Sequence, residues 1–233
     1  MSTTNKDLIK VDTHSHTCFS GDSTTTLNEF IESVYKANLD FVAVTDHSSI
    51  EGALKLKSVE DKLNFKIIIG QEQTIPEGEL IGLFINQRIL PGLGLIDTAK
   101  SIKDQGGLVV VPHPCDAFRR SLKKEHIILL AEHGLIDAIE TFNSKTKNDT
   151  SSHMAASLAD NLNIARTAGS DSHVPEAFGS TYLLMEHFKD AIEFKERLNT
   201  AQIIGNYCDP VRRWKSRLVD YSLNLSQIDI VQK

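Results

Sequence analysis

The segment Val11-Asp12-Thr13-His14-Ser15-His16 carries two histidines, one residue apart, at the end of a short apolar run. Residues two apart on an extended strand project from the same face, so both imidazoles can reach one ion. Neutral imidazole suits zinc, manganese or iron. The segment therefore predicts a metal site at the end of the first strand, completed by carboxylates that follow other strands.

Short β-branched runs alternate along the chain with helix-length amphipathic segments. The predicted strands cover residues 8–11, 39–44, 65–70, 79–85, 108–111, 135–139, 164–168 and 182–185. The first predicted helix begins at a capping box formed by Thr26 and Glu29. The later predicted helices cover 50–64, 95–105, 121–133, 151–161 and 189–199. This alternation predicts βα units and a parallel sheet, either open or closed.

Six of the strand-like runs pass directly into polar or ionisable residues. These residues are His14 and His16, His47, Glu72, His113, Asn143, and Asp171 with His173. In a closed α/β barrel the carboxyl ends of the strands share one rim. We therefore expect these side chains to converge, although they lie far apart in the sequence.

Composition and charge fit a soluble globular protein, with 40% hydrophobic and 24% charged residues. The 233 residues can form one domain, since α/β barrels commonly need about 200–250 residues. The formal net charge of -6 argues against a general nucleic-acid coat. Three widely spaced cysteines without a CxxC pair favour a reducing compartment. Because neither a signal-peptide core nor a membrane-length apolar run is present, we expect a cytoplasmic protein that does not enter membranes.

Seven short motifs, in order, resemble those of the PHP (polymerase and histidinol phosphatase) superfamily. They are Asp12-Thr13-His14-Ser15-His16-Thr17, Ser20-Gly21-Asp22, Thr45-Asp46-His47, Gly70-Gln71-Glu72, Pro112-His113-Pro114, Glu140-Thr141-Phe142-Asn143 and Gly169-Ser170-Asp171-Ser172-His173. The resemblance implies a distorted, TIM-like (β/α)7 barrel that holds two or three divalent ions of zinc, manganese or iron. We expect a single PHP domain over 1–233, with a core of about 8–185 and a C-terminal extension over 186–233.

The resemblance also implies which residues bind each ion. The first ion would take His14, His16, Glu72 and Asp171, the second Glu72, His113 and Asn143, and the third Asp22, His47 and His173. Glu72 would bridge two ions, and Glu140 is the substitute if Asn143 does not bind. Asp12 and Asp46 would orient imidazoles rather than bind metal.

A cluster of this kind suits hydrolysis at phosphorus, because ions about 3.5–4 Å apart can hold both the attacking and the leaving oxygen. We expect a hydrolase that uses metal-activated water on a phosphomonoester or phosphodiester of a small phosphorylated substrate. Glu72, His113 and Asp171 would lie at the reacting centre. Arg119 or Arg120 could bind phosphate in a bidentate manner, and we favour Arg119.

Two alternatives remain open at this point. The first is a histidinol-phosphate phosphatase, although nothing in the sequence selects that substrate. The second is a non-enzymatic, metal-stabilised module that binds nucleic acid or a polymerase-like partner through residues 212–217, Arg-Arg-Trp-Lys-Ser-Arg. The acidic charge balance, and the lack of a polymerase-like stretch within the 233 residues, favour a free-standing enzyme.

Overall fold

The computed structural model describes residues 8–146, 149–211 and 220–228. The strands are β1 (Ile9–Asp12), β2 (Phe41–Val44), β3 (Lys66–Ile75), β4 (Gly78–Leu83), β5 (Leu108–Val111), β6 (Ala138–Asn143), β7 (Ala165–Gly169), β8 (Thr181–Met185) and β9 (Gln202–Gly205). The α-helices are α1 (Leu27–Ala37), α2 (Glu51–Lys57), α3 (Leu95–Lys103), α4 (Lys124–Glu132), α5 (Asp149–Leu162) and α6 (Ala191–Leu198). Mixed strands and helices in this order give an α/β fold.

Within those ranges the nine strands form one sheet in the order β7-β6-β5-β4-β3-β2-β1-β8-β9. The sheet curls until β7 lies against β8 and β9. At the carboxyl end, the N–H of Asp171 donates to the carbonyl of His14 at 2.7 Å, and the N–H of His16 donates to the carbonyl of Ser172 at 3.0 Å. These bonds join the chain after β7 to the chain after β1. The expected distorted α/β barrel is therefore confirmed, in a nearly closed form.

Antiparallel strands raise the strand count above the expected seven. Strand β3 continues past Glu72 to Ile75, and the turn before Gly78 (φ +152°) sends the chain back as the antiparallel β4. The prediction that Glu72 follows the end of its strand is therefore wrong, because β4 supplies a partner that prolongs β3. Strand β9, which pairs antiparallel with β8, was not predicted, because its short, largely exposed run lacks a clear alternation.

Alternate residues of each central strand pack into two different apolar cores. On β5, Val109 and Val111 pack outward beneath α3, α4 and α5, whereas Leu108 and Val110 face the barrel interior. Phe194 of α6 fills the interior near the amino-terminal ends of the strands. Apolar side chains fill that end of the interior, and the candidate metal ligands lie at the opposite, carboxyl end.

The helices differ from the predictions mainly at their ends. Of the helix predicted over 50–64, only α2 (Glu51–Lys57) is α-helical, and a 3-10 turn follows at Glu60–Lys62. The helix predicted over 121–133 begins at Lys124. The capping box is confirmed at the start of α1. Among the described residues, no helix combines the length and apolar character that a bilayer crossing requires.

Removing the cap of α1 tests the local basis of this helix. In the box, the Thr26 hydroxyl accepts from the N–H of Glu29 at 3.3 Å, and Glu29 accepts from the N–H of Thr26 at 3.0 Å. We expect Thr26→Ala to lower the free energy of unfolding by about 1 kcal/mol, measured by urea denaturation. Thr26→Ser keeps the oxygen and should unfold like the wild type. An alanine variant as stable as the wild type would contradict the capping role.

Candidate metal centre

Four buried atoms at the carboxyl rim, called the tetrahedron below, have five separations that match the edges of a small tetrahedron. The Nε2 atoms of His14 and His16 are 3.1 Å apart, and each lies 3.3–3.4 Å from Oε2 of Glu72. Oδ1 of Asp171 is 3.6 Å from the first imidazole nitrogen and 3.4 Å from the second. Ligands of a tetrahedral zinc ion, with bonds of about 2.0–2.1 Å, are separated by about 3.3 Å. The five separations therefore match the spacing of ligand atoms around a single ion.

The other ring nitrogen of each imidazole is engaged outside this tetrahedron. Nδ1 of His14 lies 3.0 Å from Oε1 of Glu140. Nδ1 of His16 lies 2.8 Å from the hydroxyl of Ser20, which donates in turn to Asp46 at 2.8 Å. When Nδ1 carries the proton, the Nε2 lone pair points to the centre of the tetrahedron. The surrounding hydrogen bonds thus select the tautomers that bind a metal.

The carboxylates around His14 favour positive charge at the centre. Burial lowers the pKa of His14, but three neighbouring carboxylates, led by Asp171, outweigh burial and raise this pKa well above its usual value. Burial lowers the pKa of His16 to about 4, so that imidazole is neutral at physiological pH. A proton on His14 can supply positive charge, and so can a divalent ion. Since an ion would balance more of the carboxylate charge, the donor set fits a metal better than a proton.

A second triad shares Glu72 with the tetrahedron. Oε1 of Glu72 lies 3.1 Å from Nε2 of His113, which lies 3.7 Å from Oε2 of Glu79. Nδ1 of His113 faces the hydroxyl of Ser121 at 3.3 Å. The two oxygens of Glu72 therefore face different groups of ligand atoms, which is the arrangement of a bridging carboxylate. The sequence motifs do not include Glu79, whose position depends on the β3–β4 hairpin.

Glu79 is held in place by its partner across the hairpin. Its Oε1 accepts a hydrogen bond from the hydroxyl of Thr74 at 3.0 Å, which leaves Oε2 facing His113. Burial, and then the negative charge of Glu72, raise the pKa of Glu79. The sequence signal for this residue is a single carboxylate at the head of an apolar strand. Such a carboxylate becomes informative only when the antiparallel pairing is known.

Asn143, expected to bind the second ion, lies between two carboxylates. Its amide nitrogen donates to Glu140 at 2.9 Å and to Asp171 at 3.1 Å. Its amide oxygen accepts from the N–H of Lys145 at 3.0 Å. These bonds engage both amide atoms, and Glu79 occupies the third corner of the second triad.

Glu140, the expected substitute for Asn143, accepts hydrogen bonds from two histidines, His14 and His113, on the side away from the candidate ligand atoms. Its Oε1 faces Nδ1 of His14, and its Oε2 accepts from the main-chain N–H of His113 at 2.7 Å. Asp12 likewise accepts from the main-chain N–H of His14 at 3.1 Å. Both carboxylates therefore position the ligand atoms and do not face the centre of the tetrahedron.

A third group of donors lies nearer to solvent. Oδ2 of Asp22 is 3.1 Å from Nε2 of His173 and 3.8 Å from Nε2 of His47. His16 lies close enough to join His47 and His173 in a group of three imidazoles. Burial raises the pKa of Asp22, but the hydrogen bond and charge of His173 outweigh it and hold the pKa below the usual range. Because the side chain of Asp22 is 43% exposed, this position is open to exchange with solvent.

Two basic side chains contact the Asp171 carboxylate. Arg119, the favoured phosphate-binding residue, pairs with Oδ2, and Nζ of Lys145 lies 3.4 Å from Oδ1. Burial raises the pKa of Asp171, but these two charges outweigh burial and hold the pKa well below its usual range. Both side chains line a cavity of about 330 Å³ above the donor groups, which Arg120 also lines. Sequence reasoning missed Lys145, which follows its motif by two residues and carries no pattern of its own.

Backbone strain is concentrated beside the ligand atoms. His113 has φ +31°, Asp171 has φ +50°, and Ser48, next to His47, has φ +52°. Residues other than glycine seldom adopt this left-handed region, and its cost of order 1–3 kcal/mol is met where the surroundings enforce it. The strained positions coincide with three strand ends that carry candidate ligands.

Comparison with known families agrees with this geometry. A family model described as PHP domain matches residues 12–205. The chain belongs to the PHP domain family.

Relatives of this PHP domain include the uncharacterised protein MJ1587 of Methanocaldococcus jannaschii, which is 34% identical over 146 residues, 58% of this chain and 82% of the relative. A two-domain protein of Bacteroides vulgatus, described as containing a predicted PHP-like metal-dependent phosphoesterase, superposes with a TM-score of 0.71 at 18% identity and covers 85% of this chain. This chain spans 65% of that protein's length. A proposed metal-dependent phosphoesterase of Bifidobacterium adolescentis gives a TM-score of 0.62 at 17% identity, covering 81% of this chain and 95% of its own. At these identities the two structures show a shared fold.

The basic segment 212–217, on which the nucleic-acid alternative depends, lies outside the described residues. That alternative therefore stays a prediction.

Metal content tests whether Glu79 completes the second triad. We expect Glu79→Gln to bind one divalent ion fewer per chain than the wild type, because the amide removes a charged ligand atom. Bound manganese would be counted by elemental analysis after dialysis. Glu77→Gln, on the same hairpin, is the matched control and should keep the wild-type content. An unchanged ion count in Glu79→Gln would contradict the assignment.

Proposed function

We propose that this PHP domain is a metal-dependent phosphoesterase that hydrolyses a small phosphomonoester or phosphodiester. The supporting observation is that two groups of donor atoms share Glu72. One is the tetrahedron, which includes His14, and the other is the triad, which includes His113. The descriptions of the Bacteroides and Bifidobacterium proteins as metal-dependent phosphoesterases support the same activity class. A shared carboxylate between two donor groups is the feature that distinguishes a multinuclear centre from a single structural ion.

Two or three divalent ions of zinc, manganese or iron, when bound, would supply a water that loses its proton near neutral pH and charge that stabilises the phosphate oxygens. Glu72 sets the spacing of the donor groups, because its two oxygens face different groups. Asn143 and Glu140 hold Asp171 and His14 in the orientations described above. Pre-positioned donors of this kind avoid reorganisation during the reaction.

Arg119 and Lys145 provide the positive charge that a phosphate needs in addition to metal. Nη1 of Arg119 is buried and, within the described residues, has no hydrogen-bond partner. A phosphate oxygen would satisfy this donor, and a planar guanidinium can bind two oxygens at once. Lys145 contacts Asp171 on its other oxygen and lines the same cavity. We assign phosphate orientation to both residues, with Arg119 in direct contact with the reacting group.

Activity on generic substrates tests the proposal. We expect the wild type, loaded with manganese or zinc, to release nitrophenol from p-nitrophenyl phosphate or bis-p-nitrophenyl phosphate, and to lose this activity on chelation and regain it on metal addition. Glu72→Ala should reduce kcat by at least about 10²–10³-fold, because it removes a donor shared by two groups. Glu77→Ala is the matched control on the same hairpin.

The outcome also separates the two alternatives. Turnover confined to histidinol phosphate would select the histidinol-phosphate phosphatase. A fully metallated wild type without turnover, but with salt-dependent binding to DNA or RNA, would contradict the proposal and favour the non-enzymatic module.

A further inference from the structure

The cavity above the metal centre is lined almost wholly by ionisable side chains. Its described lining includes Asp22, Glu79, Phe118, Arg119 and Lys145. Phe118 is the one apolar side chain in this set. Phe118 is 75% exposed, although phenylalanine is among the residue types most often fully buried. The feature to explain is an apolar surface left open to water at the mouth of a phosphate-binding cavity.

The loop that carries Phe118 is anchored on both sides of this residue. Asp116 is buried, its Oδ1 accepts from the N–H of Phe118 at 2.9 Å, and its carbonyl accepts from the N–H of Arg119 at 3.3 Å. The Arg119 side chain is tied to Asp171 in the metal centre. Among the described residues, no other aromatic ring lies against Phe118. The backbone is thus held in place while the ring is free to receive a ligand.

We propose that Phe118 stacks on a flat aromatic ring of the substrate, so that this phosphoesterase acts on phosphate esters whose alcohol carries such a ring. The inference rests on the proposed function. Phe118 and Arg119 are adjacent and line the same cavity, so a phosphate bound by Arg119 brings the remainder of the ester within reach of the phenyl ring. Stacked aromatic rings attract each other through their quadrupoles, beyond the effect of area alone. A saturated chain lacks that interaction.

The experiment compares two esters that differ mainly in the flatness of the ring. Benzyl phosphate and cyclohexylmethyl phosphate both release a primary alcohol, so leaving-group chemistry is similar. Phosphate release would be measured with the manganese-loaded full chain as the wild type and as Phe118→Leu, Phe118→Trp and Ile192→Ala. Ile192 is 72% exposed on α6 and serves as the control, because it lines a separate cavity beside the start of β5.

We expect the wild type to prefer benzyl phosphate, judged by the ratio of the two kcat/KM values. Phe118→Leu should lower this ratio by about 5- to 10-fold, mainly through KM, because leucine keeps apolar area but not a flat face. Phe118→Trp and Ile192→Ala should each keep the ratio within about twofold of the wild type.

If the wild type is active on both esters and Phe118→Leu leaves the ratio of the two kcat/KM values unchanged, the stacking inference alone is overturned. A fully metallated wild type that releases phosphate from neither ester nor from nitrophenyl phosphates would overturn the proposed function and this inference with it.

Discussion

Electron-rich atoms gathered at one buried point cannot stay together without positive charge between them. Nε2 of His14, Nε2 of His16 and a carboxylate oxygen of Glu72 lie within 3.4 Å of one another and are shielded from water. Water cannot screen their repulsion, so the fold must supply a proton or accommodate a cation. The carboxylates behind the imidazoles strengthen this demand. The rest of the barrel serves to hold these atoms at the required separation.

Main-chain pairing at the carboxyl rim provides that rigidity. The chain after β7 is bonded to the chain after β1, and the N–H of Thr45, after β2, donates to the carbonyl of Ser15 at 2.8 Å. The N–H of Glu72 in turn donates to the carbonyl of Thr45 at 3.0 Å. Ligand atoms from β1, β2, β3 and β7 therefore stand on one continuous hydrogen-bonded backbone. At the other end, apolar side chains around Phe194 fill the barrel interior.

The sequence allowed prediction of the barrel class and of the strand ends that carry His14, His113 and Asp171, because alternating apolar runs followed by polar residues are local patterns. Glu79 could not be predicted, because its position depends on the length of β3 and on an antiparallel partner. The orientation of the Asn143 amide depends on Glu140 and on a main-chain N–H, which no spacing rule encodes. Local patterns therefore place the elements, while tertiary contacts decide which atom of each side chain faces the centre.

The most direct measurement is anomalous X-ray diffraction at the manganese edge from crystals grown with manganese. The account predicts a peak about 2.0–2.3 Å from the inward-facing atoms of His14, His16, Glu72 and Asp171, and a second peak on the Oε1 side of Glu72. The account would be contradicted if crystals grown with manganese showed no anomalous peak inside the tetrahedron and had His14 hydrogen-bonded directly to Asp171.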